Sequence, residues 1–481
     1  MRTEDVVAAV DVAMAQWRIA GATVVVVRDD DTWVLPRGHR GGAGSPPTSA
    51  HTVYPMGCLS RCVGAATVAR LVREGVTSWD APHLVGAMPA GPPDRGCSLG
   101  DLMSHSSGIP TYTILLDADA VSIADIAAHR LRHLTARWGP GTRYVHSELS
   151  YLLACHLASE LGGQGWRSML SALLTDVAAK DAYLGRAPAP GDAARPAIWG
   201  AEAGAFLSQP IGTASALAEP IDGLWLSGSD MAALIRFFLT GCTPDRGRLL
   251  GAEHLDRIRQ SRIKVPRFAS PHAADVVPQG YALGWLEASR HTRRLLVHSG
   301  TASGMRGLVV LLPAERVGVG VFCNVDDPHV PTGQPCCFRC AVAFGLVDAL
   351  LDRRPFVVPE RGPRPVAPTG TIAGTRPEPD IWQRLRGDYE HPGFGRVTFV
   401  DDSSGQATFR YASLSAAVCA RSGTLAVDWP PGQAATGQSP LVVEGVDADH
   451  VDLRMESSVA PFRFVRVPAP SAAPVRARRG R

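Results

Sequence analysis

At 481 residues the chain is longer than one hydrophobic core organises, so two or three units are expected. Its 45% hydrophobic and 19% charged residues are those of a globular protein, and a net charge of +3 gives no reason to expect nucleic acid or an anionic membrane as a partner. No apolar run reaches the roughly 18 residues a membrane helix needs, and the start, MRTEDVVAAVDVAMAQW, lacks the continuous apolar core of an export signal, so a cytoplasmic location is expected.

Residues 3–18 carry apolar positions at helical spacing and stop before Gly21. GATVVVVRDDDTWVLPRG then reads as a hairpin, with a β-branched run, an Asp-rich turn and a second short strand. CLSRCVGAATVARLVREG, from Cys58 to about Glu74, reads as a helix closed by Gly75. Small and apolar residues surround its first turns, which predicts a buried helix. Helical patterns follow at 98–105, 123–136, 147–161 and 165–180, and 184–221, rich in Ala, Pro and Gly, reads as a loop. SGSDMAALIRFFLTG is a further helix with Ser227 or Ser229 as its N-cap. YALGWLEA, RLLVHSG, RGLVVLLP and VGVGVFCN read as consecutive antiparallel strands, and CAVAFGLVDALLDRR as a closing helix. This order suits one sheet whose strands come from both ends of the unit, with a helical insertion between them.

The proline-rich stretch 353–380 reads as a linker. Residues 381–468 hold six alternating segments, GRVTFV, QATFRYA, LAVDW, PLVVEGV, HVDLRM and FRFVRV, which predict a small all-β unit. The tail 469–481, PAPSAAPVRARRGR with its first residue just before it, is Pro/Ala-rich and basic and reads as disordered. The expected units are therefore 1–352, 381–468 and the segments around them.

Four segments together resemble the superfamily of serine β-lactamases, penicillin-binding proteins and related class C-like esterases. VYPMGCLSRCVGAATVARLVREG is similar to the segment holding the family's Ser-x-x-Lys, and CSLGDLMSHSSGIP to its "LLTHTSG" stretch. GPGTRYVHSELSYLLA resembles the Tyr-x-Asn segment. YALGW followed by VHSGTASGMRGLVVLLP resembles the strand with Lys-Thr-Gly, or His-x-Gly in the esterase branch. One such motif is weak, but four in order over about residues 5–350 are specific. GDYEHPGFGRVTF resembles the opening of the small barrel appended to many members. The resemblance implies an α+β fold, an antiparallel sheet flanked by helices, plus a C-terminal β-barrel.

The site residues depart from the family. Cys58 stands at the nucleophile position, Arg61 at the lysine, His146 at the tyrosine and Glu148 at the asparagine, and only the His298–Gly300 motif is kept. Arg61 cannot act as a base, because guanidinium stays protonated. A thiol with a pKa of about 8.5 needs less help than a hydroxyl. At a helix N-terminus, with Arg61 one turn on, Cys58 is expected to favour the thiolate. His146 is the expected acid/base. Glu148 either orients its imidazole or binds a cationic group of the substrate. The resemblance implies an oxyanion hole from the backbone N–H groups of Cys58 and Thr301. The expected activity is transfer of an acyl group from an amide, ester or thioester by way of a Cys58 thioester: hydrolysis, transfer to an amine, or cyclisation. The substrate is a small biosynthetic acyl intermediate, free or carried on a partner. A site decayed to ligand binding is the rival, and no cofactor or metal is expected.

Other candidates read as structural. His105 is expected to be a buried hydrogen-bonding residue, and Cys62 a small core residue on the Cys58 helix. Cys337-x-x-Cys340 lacks the second pair that a zinc site needs. Asp117, Asp119 and Asp125 read as solvated, and Trp166, Trp199 and Trp225 as packing residues. Ten cysteines in a reducing compartment are expected to stay free.

Overall fold

The computed structural model describes residues 2–83, 96–117, 121–136, 138–185, 191–212, 216–266, 275–326, 337–352, 356, 374–421, 423–428, 441–456 and 459–468. They form two compact units, residues 1–111 with 135–367, and residues 112–134 with 368–481.

The first unit is built on an eight-stranded antiparallel sheet. Its order is Ile263–Lys264, Val276–Tyr281, Leu286–Arg290, Arg293–Ala302, Met305–Leu312, Val317–Cys323, Gly21–Arg28 and Asp31–Gly38. The N-terminal hairpin thus completes a sheet whose other strands come from the end of the unit, with Val24 opposite Val321. The run GATVVVV is buried at every position, which is why it does not alternate polar with apolar. In VGVGVFC the alternation has a different meaning. Val317, Val319 and Val321 enter the core shared with the helices Thr3–Trp17 and Phe338–Asp352. Gly318 and Gly320 face the opposite way, where an added Cβ would meet Ile235 of the helix Gly228–Thr240. Small residues on that face let the helix lie close to the sheet.

Sequence signals set several helix ends. The first helix buries Val6, Val10, Ala13, Met14 and Trp17 along one stripe and stops at Arg18, whose φ is 53°. Ser227, rather than Ser229, caps the helix Gly228–Thr240 in a reciprocal capping box with Asp230. Ser98 and Asp101 do the same for Leu99–Met103. The stretch 184–221 is not simply a loop: it holds the hairpin Ala197–Gly200 and Ala205–Ser208, and the short helix Glu219–Asp222 starts inside it.

The second unit is a closed barrel of eight antiparallel strands, from Gly387–His391 to Phe462–Arg466. Six of these correspond to the alternating segments of the sequence. The other two, Gly387–His391 and Leu414–Arg421, carry few large apolar residues and gave weak signals. Inside lie Tyr389, Phe394, Phe399, Phe409, Phe462 and Phe464, all nearly inaccessible. Residues 112–134, which the expected 1–352 unit contained, group with the barrel: the Tyr112 ring lies 5.6 Å from Phe394 and 5.9 Å from Phe462. In place of one helix over 123–136 there is a single turn at Ile123–Asp125, a π-helical turn at Ile126–Arg130 and a 3-10 turn at Leu131–His133. Most of the expected linker 353–380, the tail 469–481 and Asp119 lie outside the described residues. Among the described residues no helix is long and apolar enough to cross a membrane.

Candidate active site

Cys58 lies on a 3-10 turn, Gly57–Leu59, that runs directly into the helix Ser60–Arg73. Every residue of that helix from Ser60 to Ala69 is buried, as the small and apolar residues around it predict. Two glycines bring the turn against the strand Arg293–Ala302. Gly57 has a φ of 49°, and a Cβ there would collide with the backbone of Thr301, whose nitrogen would lie 2.9 Å away. A Cβ on Gly300 would collide with the carbonyl of Met56. The glycine of the His298–Gly300 motif is therefore a requirement of close approach, and the approach sets the backbones of Cys58 and Thr301 side by side.

Arg61 is 1% exposed. Its Nη2 donates to Oε1 of Glu148 at 3.1 Å, and its Nη1 to Nε2 of His146 at 3.5 Å, the outer limit of a hydrogen bond. Its guanidinium lies 5.4 Å from the centre of the Tyr151 ring. Glu148 is the first residue of the helix Glu148–Gly162, capped by Ser147. Of the two roles expected for Glu148, orienting the imidazole is not what its geometry gives: its partner is Arg61. His146 is an exposed residue whose ring packs on His105, centroids 4.5 Å apart. Although the residue keeps accessible surface, desolvation of the packed ring, then the charge of Arg61 and then His298 hold it below its ordinary value and favour the neutral imidazole.

His298 is buried and fully engaged. Its Nδ1 lies 2.8 Å from the carbonyl of Ser299, which can only accept, so the proton sits on Nδ1. Nε2 is then the acceptor for the hydroxyl of Tyr281 at 3.1 Å. Burial, and secondarily Arg61, push His298 down to about 3.

The expected thiolate meets an opposing effect. Burial pushes the Cys58 thiol up to about 12; Arg61 pulls it down but is outweighed, and Asp222 and Glu148 add to the rise. Cys58 keeps part of its surface exposed, yet desolvation outweighs the charge of Arg61, and the balance favours the protonated thiol at neutral pH.

Sequence reasoning missed Asp222, at the end of the short helix Glu219–Asp222. Its carboxylate interacts with the Cys58 thiol, and burial raises it to about 7 despite the lowering by Arg61. Its Oδ1 is buried without a hydrogen-bond partner among the described residues. The sequence EPIDG reads as a turn before the strand Leu224–Ser227, and only that Asp-Gly signal was present. Tyr144, Tyr151 and Tyr281, also not singled out, surround His105 with ring centroids 5.7, 4.9 and 4.8 Å away.

The remaining candidates are structural. His105 is buried and accepts from the backbone N–H of Ser147 at 3.1 Å. Cys62 is buried and donates to the carbonyl of Gly284 at 2.8 Å. Cys337 and Cys340 are buried, Cys336 lies outside the described residues, and no cluster of metal-ligating side chains occurs among the described residues. Asp125 accepts from Arg130 in an ion pair. Trp166 and Trp225 are buried, whereas Trp199 is exposed on its hairpin beside Phe206.

Residues 6–334 match the family model described as Beta-lactamase. A curated relative, unguisins hydrolase ungD of Aspergillus violaceofuscus (strain CBS 115571), is 24% identical over 354 residues, 65% of this chain and 59% of that protein. The match thus spans about three-fifths of that relative's length. Among solved structures, the octameric penicillin-binding protein homologue from Pyrococcus abyssi superposes with a TM-score of 0.60 at 18% identity, covering 97% of both chains. SurE superposes with a TM-score of 0.59 at 18% identity, covering 96% of this chain and 99% of its own. A class C beta-lactamase gives 0.57 at 15% identity, covering 72% of this chain and 96% of its own. At these identities the likeness is one of fold.

Proposed function

The chain belongs to the beta-lactamase family, and from that membership we propose that it is an acyl-transfer enzyme acting through Cys58 on an amide, ester or thioester of a small biosynthetic intermediate. One observation carries the reading: the close approach of Gly57 and Gly300, which sets the Cys58 turn against the Thr301 backbone at the start of a buried helix. In this reading Sγ of Cys58 attacks the acyl carbon, and the backbone N–H groups of Cys58 and Thr301 receive the developing oxyanion. The leaving group departs, giving a Cys58 thioester. Water or an amine then attacks the thioester, its proton passes to Nε2 of His146 as the contact with Arg61, at its 3.5 Å limit, gives way, and His146 hands that proton to Sγ as Cys58 leaves as the thiol. Arg61 fixes a positive charge beside the site and ties down Glu148. His298, engaged by Tyr281 and Ser299, acts as a positioning residue for the strand that carries Thr301. The name of the curated relative, a hydrolase of unguisins, favours water as the acceptor.

A role in binding alone is the second reading. The observation that favours it is the rise of the Cys58 thiol with burial. Activated p-nitrophenyl esters and thioesters, run against wild type and Cys58→Ala, separate the two. The enzyme reading expects turnover and an acyl adduct on Cys58 in the intact mass. Equal rates for the two proteins and no adduct would remove it.

A further inference from the structure

A thiol that is protonated at neutral pH has to lose its proton as its sulfur attacks. Arg61 has no lone pair to receive it. Nε2 of His146 faces the Nη1 donor of Arg61, Nε2 of His298 faces the Tyr281 hydroxyl, and Oε1 of Glu148 accepts from Arg61. Asp222 differs from all three. The helix that ends in Asp222 packs on the turn that carries Cys58, Oδ1 is sealed from water without a hydrogen bond among the described residues, and the donor that acts on the carboxylate is the Cys58 thiol. A buried acceptor without a donor costs stability, on the order of 1–3 kcal/mol. Such an atom beside a nucleophile calls for a functional account.

We propose that Asp222 is the general base that takes the Cys58 proton during acylation and returns it to the leaving group. This rests on the acyl-transfer reading above. As the Sγ–C bond forms, the S–H proton moves to an oxygen of Asp222 and the carbonyl π pair moves onto the carbonyl oxygen. As the intermediate collapses, the bond from carbon to the leaving group breaks and that group takes the proton from Asp222. The carboxylate is regenerated and no oxidant or cofactor is consumed. The titratable and charged groups facing Asp222 are Cys58 from the turn, Arg61 from the helix behind it and Glu148 from the helix Glu148–Gly162. Burial and Glu148 raise the Asp222 carboxyl against the pull of Arg61, to about 7. It is thus a stronger base than an ordinary aspartate.

The test uses the full chain with p-nitrophenyl butyrate, following formation of the Cys58 acyl adduct by intact mass between about pH 5 and pH 9. The wild-type rate should rise through an inflection near neutral pH and level off above it. Asp222→Asn should lower the rate by roughly 10²- to 10⁴-fold and erase the inflection, and Asp222→Glu should restore part of both. A wild-type profile without the inflection overturns the proposal and needs no variant to fold. An Asp222→Asn protein that acylates Cys58 at the wild-type rate also overturns it, while leaving the Cys58 reading intact. Absence of any adduct on wild-type Cys58 removes both.

Discussion

Arg61 and Glu148 form an ion pair at 3.1 Å in which the arginine is 1% and the glutamate side chain 25% exposed. Breaking a fully buried pair from one side typically costs about 3–5 kcal/mol, because the remaining charge is left without a partner. Here Asp222 still faces the guanidinium and Glu148 keeps some water. Glu148→Gln should therefore cost less, about 1–3 kcal/mol at pH 7, read as a shift of the urea midpoint. An unchanged midpoint would mean that Asp222 alone satisfies Arg61.

The thiol of Cys58 should give no thiolate signal near neutrality. Ultraviolet difference spectra between wild type and Cys58→Ala should stay flat from about pH 6 to pH 9, since burial lifts this thiol to about 12. A titration centred near pH 7 would instead restore the thiolate expected from the helix terminus and Arg61.

His298 makes stability fall with acid. Its folded value, about 3, lies below the ordinary histidine value of about 6.5. The unfolded chain then binds the proton first, so the stabilisation is complete above about pH 6.5 and is lost as the pH falls toward 3. Over that window wild type should lose stability faster than His298→Gln by up to about 1.4 kcal/mol per pH unit. Denaturant midpoints at successive pH values measure this; parallel curves for the two proteins would rule it out.

Gly300→Ala should separate Cys58 from Thr301. The new methyl would collide with the carbonyl of Met56, which is backbone and cannot swing away. Esterase activity should fall by at least about 100-fold, the scale of losing an oxyanion donor, with the cooperative unfolding transition retained at a lower midpoint. Near-wild-type turnover in Gly300→Ala would show that the close approach is dispensable.

Phe394→Ala tests which residues fold with the barrel. Phe394 is 1% exposed and touches Tyr112, His391, Phe462 and Phe464. Removing so buried a ring typically costs about 3–5 kcal/mol. Limited proteolysis of the variant should open cleavage sites in 112–134 along with those in the barrel strands, because these residues form one unit. Cleavage confined to the barrel would assign 112–134 to the other unit.

The sequence by itself determined what depends on neighbours along the chain. The β-branched run at Thr23–Val27 and a serine cap ahead of the helix Gly228–Thr240 each state a local requirement, and four motif segments in order were enough for the fold, whereas the need for glycine at 300 comes from the distant carbonyl of Met56. Cys58, Arg61, His146, Glu148 and His298 were legible because they occupy motif positions. What those residues do to one another was decided by the tertiary structure. Whether Glu148 meets His146 or Arg61 depends on how two helices pack. Asp222 comes from a distant turn with no motif of its own and reaches Cys58 only once the sheet and helices have closed. The state of the thiol was hidden for the same reason. Charge and helix polarity are written locally and favour thiolate, but desolvation is set by everything packed around the sulfur, and here desolvation is the larger effect.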